Sequence, residues 1–142
     1  MKKYLIVFLF LITALSVLYG QSDPTLNKCI SNSGSGAKYL KDYRVQLGAG
    51  NSDSEYRFKA KLSLRKNTKY RFTMCTDNNS KGQLIFMLMN AENKIILSSL
   101  DQTGIVNPNV DLTCRKSGIY HICYDFTLSQ SGSGTGIVSV IK

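Results

Sequence analysis

Apolar and polar residues alternate with a period of two along most of this chain, the spacing that puts side chains on the two faces of a strand. Tyr43, Val45 and Leu47 alternate with Arg44 and Gln46, and Tyr56, Phe58, Ala60, Leu62 and Leu64 alternate with Arg57, Lys59, Lys61, Ser63 and Arg65. After a turn at Asn67-Thr68, Tyr70, Phe72 and Met74 alternate with Arg71, Thr73 and Cys75. These two runs read as successive strands joined by a short turn. Asp77 to Gly82 is a loop by composition. Leu84 to Met89 is apolar without alternation, which fits a central strand covered on both faces or a short helix; six residues and the flanking turns favour the strand. A turn at Asn90 to Asn93 leads into a strand over Lys94 to Ser99, and Gln102 to Asn109, with Gly104 and Pro108, reads as a loop. Val110, Leu112 and Cys114 alternate again. The turn Lys116-Ser117-Gly118 leads into Ile119 to Leu128, where Tyr120, Ile122, Tyr124 and Phe126 share a face. Ser129 to Gly136 reads as a Gly/Ser loop and Ile137 to Ile141 as a closing strand. About eight short strands, frequent turns and no long helical pattern predict an all-β fold, an antiparallel β-sandwich of jelly-roll type.

Two stretches lie outside this pattern. Met1-Lys2-Lys3 followed by the apolar Tyr4 to Leu18 and a small polar exit at Gly20-Gln21-Ser22 has the layout of a secretory signal peptide over residues 1–20. Its apolar part is short for a membrane span, and no later segment supplies one, so the mature protein is expected to be secreted or periplasmic, with cell-surface association open. Residues 21–37, rich in Ser, Gly and Asn, read as a flexible arm before a domain over 38–142. Removing 20 of the 142 residues takes two lysines from the 18 basic side chains and none from the 9 acidic ones, so the net charge falls from +9 to +7. A single domain of this size excludes a multidomain enzyme, and export argues against a nucleic-acid binder.

All four cysteines, Cys29, Cys75, Cys114 and Cys123, fall in the mature part. An even number in an exported chain reads as two disulfides, against the alternative of free buried thiols. Cys75 with Cys114, both closing alternating strands, and Cys29 with Cys123, anchoring the arm, is the pairing expected.

Chemistry-bearing residues are sparse. No Cys-x-x-Cys is present, and Cys114 and Cys123 are nine apart. His121 and Cys123 share a strand face, which makes a shared metal site geometrically possible, but a solvent-facing or hydrogen-bonded histidine is the plainer reading, and no cofactor or metal is expected. His121 is the one histidine available as a base. Asp125 on the same strand face lies about 13 Å along an extended chain, too far to orient it. The acidic residues are scattered in turns rather than paired in apolar strands, which disfavours glycosidase chemistry. Asn51, Asp53 and Glu55 in one loop, or Asp77, Asn78 and Asn79 in another, could offer oxygens to calcium, although such residues also simply favour turns. The basic stripe is more specific: Arg57, Lys59, Lys61 and Arg65 on one strand and Lys69 and Arg71 on the next. If the two strands pair, six cations share one sheet face and would attract phosphates, carboxylates or sulfates. The alternative is a solvated outer face whose charges discourage edge pairing.

The strand ending in Tyr70-Arg71-Phe72, the hairpin from Leu84 to Leu97 with its polar tip Asn90 to Lys94, and Gly118-Ile119-Tyr120-His121-Ile122 together resemble the bacterial pre-peptidase C-terminal domain. The likeness spans about residues 45–140. It implies a small jelly-roll-like sandwich with a non-catalytic accessory or binding role, here standing alone, and it carries over no site residue. The functional expectation is an exported, non-enzymatic binding module of the cell envelope that engages an anionic glycan or lipopolysaccharide through the basic face. A module for an envelope protein partner, and a small secreted hydrolase, are the alternatives.

Overall fold

In the computed structural model, which describes residues 23–51 and 56–142, the period-two runs become eight antiparallel strands. They are β1 (Ala37–Leu47), β2 (Phe58–Leu64), β3 (Lys69–Thr76), β4 (Leu84–Met89), β5 (Ile95–Ser98), β6 (Asn109–Thr113), β7 (Gly118–Phe126) and β8 (Gly132–Ile141). Sheet one has the order β1-β8-β3-β6 and sheet two β2-β7-β4-β5. First pairs with last, second with seventh, third with sixth and fourth with fifth, which is the wrapped double hairpin of a jelly roll. The all-β sandwich expected from alternation is the fold observed.

The core lies between the sheets. Phe72 of β3 stacks on Phe86 of β4 at 4.6 Å between ring centroids, and Tyr43, Phe58, Phe86 and Tyr124 form a cluster with centroids about 6 Å apart. The expected shared face of β7 is the face that fills this core, with Tyr120, Ile122, Tyr124 and Phe126 all buried.

Three readings of the sequence are corrected. The Gly/Ser stretch taken as a loop over 129–136 forms, from Gly132 onward, the first half of β8, a central strand of sheet one. Its glycines fall in the inward register, and a Cβ at Gly136 would stand 2.2 Å from the Tyr124 ring. Small residues here admit the large rings of the opposite sheet. Residues 21–37, read as a flexible arm, carry a helix α1 (Pro24–Asn32). Asp23 caps it by accepting from the backbone N–H groups of Thr25 and Leu26, and Pro24 stands at its start. The disulfide pairing also differs. Cys29 of α1 is bonded to Cys75 of β3, while Cys114 and Cys123 are buried and take part in no disulfide.

The physical reason for the pairing is the alternation itself. Cys75 shares the outward register of Arg71 and Thr73, whereas Cys114 points inward among core residues. Cys123 lies on the outer face of sheet two, a sandwich thickness away from α1. The helix lies over the outer face of sheet one against β3 and β8, where Thr73, Thr135, Ile137 and Ser139 are buried. Besides the disulfide, it is held by the Arg71 guanidinium donating to the Ser33 carbonyl and by the Asn109 amide donating to that of Asn32. Among the described residues no helix is long and apolar enough to cross a membrane. The segment read as a signal peptide lies outside them.

Candidate functional site

The jelly-roll topology first redistributes the expected basic face. β2 and β3 do not pair; the turn between them crosses from sheet two to sheet one. The six cations therefore do not share a face. Lys59 and Lys61 are exposed on β2 at the outer face of sheet two, whereas Lys69 and Arg71 stand on the outer face of sheet one. Arg57, just before β2, is withdrawn from solvent, with 18% of its side chain exposed against 5% for Asp125. Its guanidinium grips both oxygens of Asp125 and also donates to the carbonyls of Gly48 and Gln130. Lys69 and Arg71 both contact Asp111; Arg71 does so bidentately at 2.7 and 2.9 Å and Lys69 at 3.7 Å. The hydrogen bonds from Arg71, with the charge of Lys69, hold the Asp111 carboxyl below its ordinary range against a smaller opposing effect of burial.

The same topology assembles a different cluster. The β2–β3 and β6–β7 turns are bonded to each other: the Asn67 N–H donates to the Cys114 carbonyl, Cys114 N–H to the Thr68 carbonyl, and Lys66 N–H to the Ser117 hydroxyl. Asn67 takes a left-handed conformation (φ 63°), which asparagine tolerates better than most residues. Two Arg-Lys pairs fifty positions apart, Arg65-Lys66 and Arg115-Lys116, thereby become neighbours. Strand register brings further cations to this end. Ala37, Ile141, Lys69 and Thr113 form one row across sheet one, so Lys38, Lys69 and Lys142 border it. The β4–β5 hairpin, with Asn93 also left-handed, adds Lys94. Eight exposed cations thus stand at one end of the sandwich, near strand rows about 15 Å wide in sheets about 10 Å apart. Charges that lie within the Debye length of ~8 Å of one another at physiological salt add their fields. Among the described residues, the acids beside them are Glu92 and Asp111, with Asp42 further along β1, where it accepts from the Tyr39 hydroxyl.

Apolar side chains interleave with these charges. A groove of about 610 Å³ between the β1 and β2 edges holds Leu40 beside Arg65. A second, about 570 Å³, between the β5 and β6 edges holds Ile96 beside Arg115 and Lys116. A smaller cleft places Ile119 beside Lys116. A further groove of about 660 Å³ runs between α1 and the end of β3, lined by Thr25, Lys28, Asn32, Thr76, Asp77 and Gln83 among others.

No family profile matches the chain, and no curated protein is detectably similar to it. The resemblance to pre-peptidase C-terminal domains thus rests on the motifs named above.

The remaining candidates are placed as follows. His121 and Cys123 share the outer face of β7, as alternation requires, with His121 between Lys61 and Met89 in register and Cys123 fully buried. Asp125 is engaged by Arg57 and does not orient His121. The Cys114 thiol donates to the Lys116 carbonyl, which also accepts from the Tyr120 hydroxyl. Desolvation, and then the neighbouring Cys114, push the Tyr120 phenol up. Of the two calcium loops, Asp53 and Glu55 lie outside the described residues. Asp77 accepts from the Ser133 hydroxyl at 2.6 Å and from Arg44 at 3.4 Å. Among the described residues no group of three or more His, Cys, Asp or Glu side chains could hold a metal.

Proposed function

We propose that the protein is an exported, non-catalytic binding module of the cell envelope that engages a phosphate-, carboxylate- or sulfate-bearing polymer. The contact surface in this reading is the end formed by the β2–β3, β4–β5 and β6–β7 turns. The observation that carries it is the cluster of eight exposed cations there, set against Glu92 and Asp111. Export is supported by the charged and apolar start of the chain and by the intramolecular Cys29–Cys75 disulfide, which is at home in an oxidising compartment.

A sulfated-polymer resin such as heparin tests the reading. The protein should be retained at low ionic strength and released at moderate salt, as expected for surface charge. Reversing Arg65, Lys66, Arg115 and Lys116 to Glu together should abolish retention while the melting temperature stays put, because the hydrogen bonds joining these two turns come from their backbone and from Ser117. Reversing Lys59 and Lys61 should leave most of it. Retention lost only on the second change overturns the turn-end reading and moves the site to the outer face of sheet two.

A further inference from the structure

The cationic end differs from an ordinary solvated charge cluster in what lies between its charges. Leu40 and Ile119 are each 50% exposed, Tyr39 is 42% exposed and Ile95 56%. All lie within a few residues of the strand ends that carry the lysines and arginines. Leu40 owes its position to the register shift in β1 between Tyr39 and Lys41, which interrupts pairing with β8. A polyanion in water has no use for these aliphatic groups. An acidic lipid layer has a use for both kinds: headgroup phosphates for the cations and the acyl boundary for the apolar tips. The opposite end has exposed apolar residues too, Leu128 at 84% and Ile105 at 61%, but its loops set Asp77 and Asp101 against the exposed Lys81 rather than gathering eight cations.

Resting on the anion-binding reading above, we infer that the turn end docks on an acidic lipid surface, with Leu40 and Ile119 entering the headgroup layer between the cations. Clusters of four to eight basic residues near a bilayer give salt-dependent attraction, and shallow apolar insertion adds a contribution that salt does not screen. Neither contribution alone holds a protein firmly; the pair does.

The test uses protein recovered from the exported fraction, with phosphatidylcholine vesicles and vesicles in which a substantial fraction is phosphatidylglycerol. Binding should be confined to the acidic vesicles. Leu40→Ser with Ile119→Ser should weaken it by about tenfold or more, with heparin elution and melting temperature unchanged. The chain has no tryptophan, so Leu40→Trp and Ile119→Trp each supply a sole reporter. Their emission should shift to the blue on acidic vesicles, whereas Leu128→Trp at the far end should not respond. Heparin retention without acidic-vesicle binding, vesicle binding indifferent to the two serines, or reporters silent at Leu40 and Ile119 would each overturn the lipid inference and leave the polymer reading standing. Failure on both heparin and acidic vesicles overturns both.

Discussion

The two ends of this sandwich use charge in opposite ways. At one end the connections β2–β3, β4–β5 and β6–β7 are turns of four or five residues, and their cations point outward. At the other end the connections run from five to ten residues, and several of the charged groups described there bond to loop backbone or join loops, while Lys81 of the β3–β4 loop stays exposed. Arg57 ties the segment before β2 to Gly48, Asp125 and Gln130; Asp77 joins the β3–β4 loop to Ser133 and Arg44; Asp101 organises its own loop by accepting from Thr103 and Ile105. Long loops carry polar backbone that must be satisfied, and charged side chains can do so. Short turns bonded to each other satisfy their backbone locally and leave their side chains for a partner.

If that contrast is right, damage at the loop end costs stability, and the largest cost follows loss of the disulfide. Cys29→Ser opens a link between positions 46 apart, worth about 4 kcal/mol in denatured-state entropy. Thermal melting should fall on the order of 15 °C, and reductant should mimic the substitution. A melt unchanged in reductant would mean that α1 is held by packing alone.

Next comes the Arg57–Asp125 pair. Asp125→Ala strands a mostly buried guanidinium and should cost about 3 kcal/mol in denaturant titration. Replacing both by apolar residues, Arg57→Met with Asp125→Leu, should cost less than the two single changes summed. Strict additivity would deny that the two act as a joint.

The smallest effect concerns the turn end, where Asp111 is the acid held by cations. Its carboxyl titrates lower in the folded state than in the unfolded chain. Its contribution is therefore complete above the unfolded carboxylate value near 4 and is lost as pH falls through the lower folded value. Asp111→Asn should flatten the acid side of the stability profile below about pH 4 and leave neutral stability lower by about 1 kcal/mol or less. It should also strengthen heparin retention, by freeing Lys69 and Arg71. A variant with an unchanged acid limb would show that other carboxylates govern it.

The strands were legible because alternation is local. The stripe from Phe58 to Leu64 and the shared face of Tyr120 to Phe126 read correctly without knowledge of any partner. β8 was hidden because its inward positions are filled by glycine, which carries no hydrophobic signal; the regular spacing of Gly132, Gly134 and Gly136 was the available clue. Helix α1 was masked by its polar composition, although Asp23 followed by Pro24 is a cap and first-turn signature. The basic face failed for a deeper reason. A short turn between two alternating runs looks the same whether it closes a hairpin within one sheet or carries the chain around the corner to the other. What gathers Arg65-Lys66 with Arg115-Lys116 is the pairing of whole strands, although the repeat of that dipeptide in two turns was visible.

The position of β8 has a consequence for the order of events in folding. It is the last strand in the chain, yet it sits between β1 and β3, and its pairing with β1 joins Ala37 to Ile141. Sheet one cannot close until that strand has arrived, so contacts of very long sequence separation must form before the core is sealed. A chain emerging from its N-terminus first would hold β1 and β3 apart until β8 is delivered. Until then it remains an open chain, with the docking of α1 onto β3 and β8 still to come.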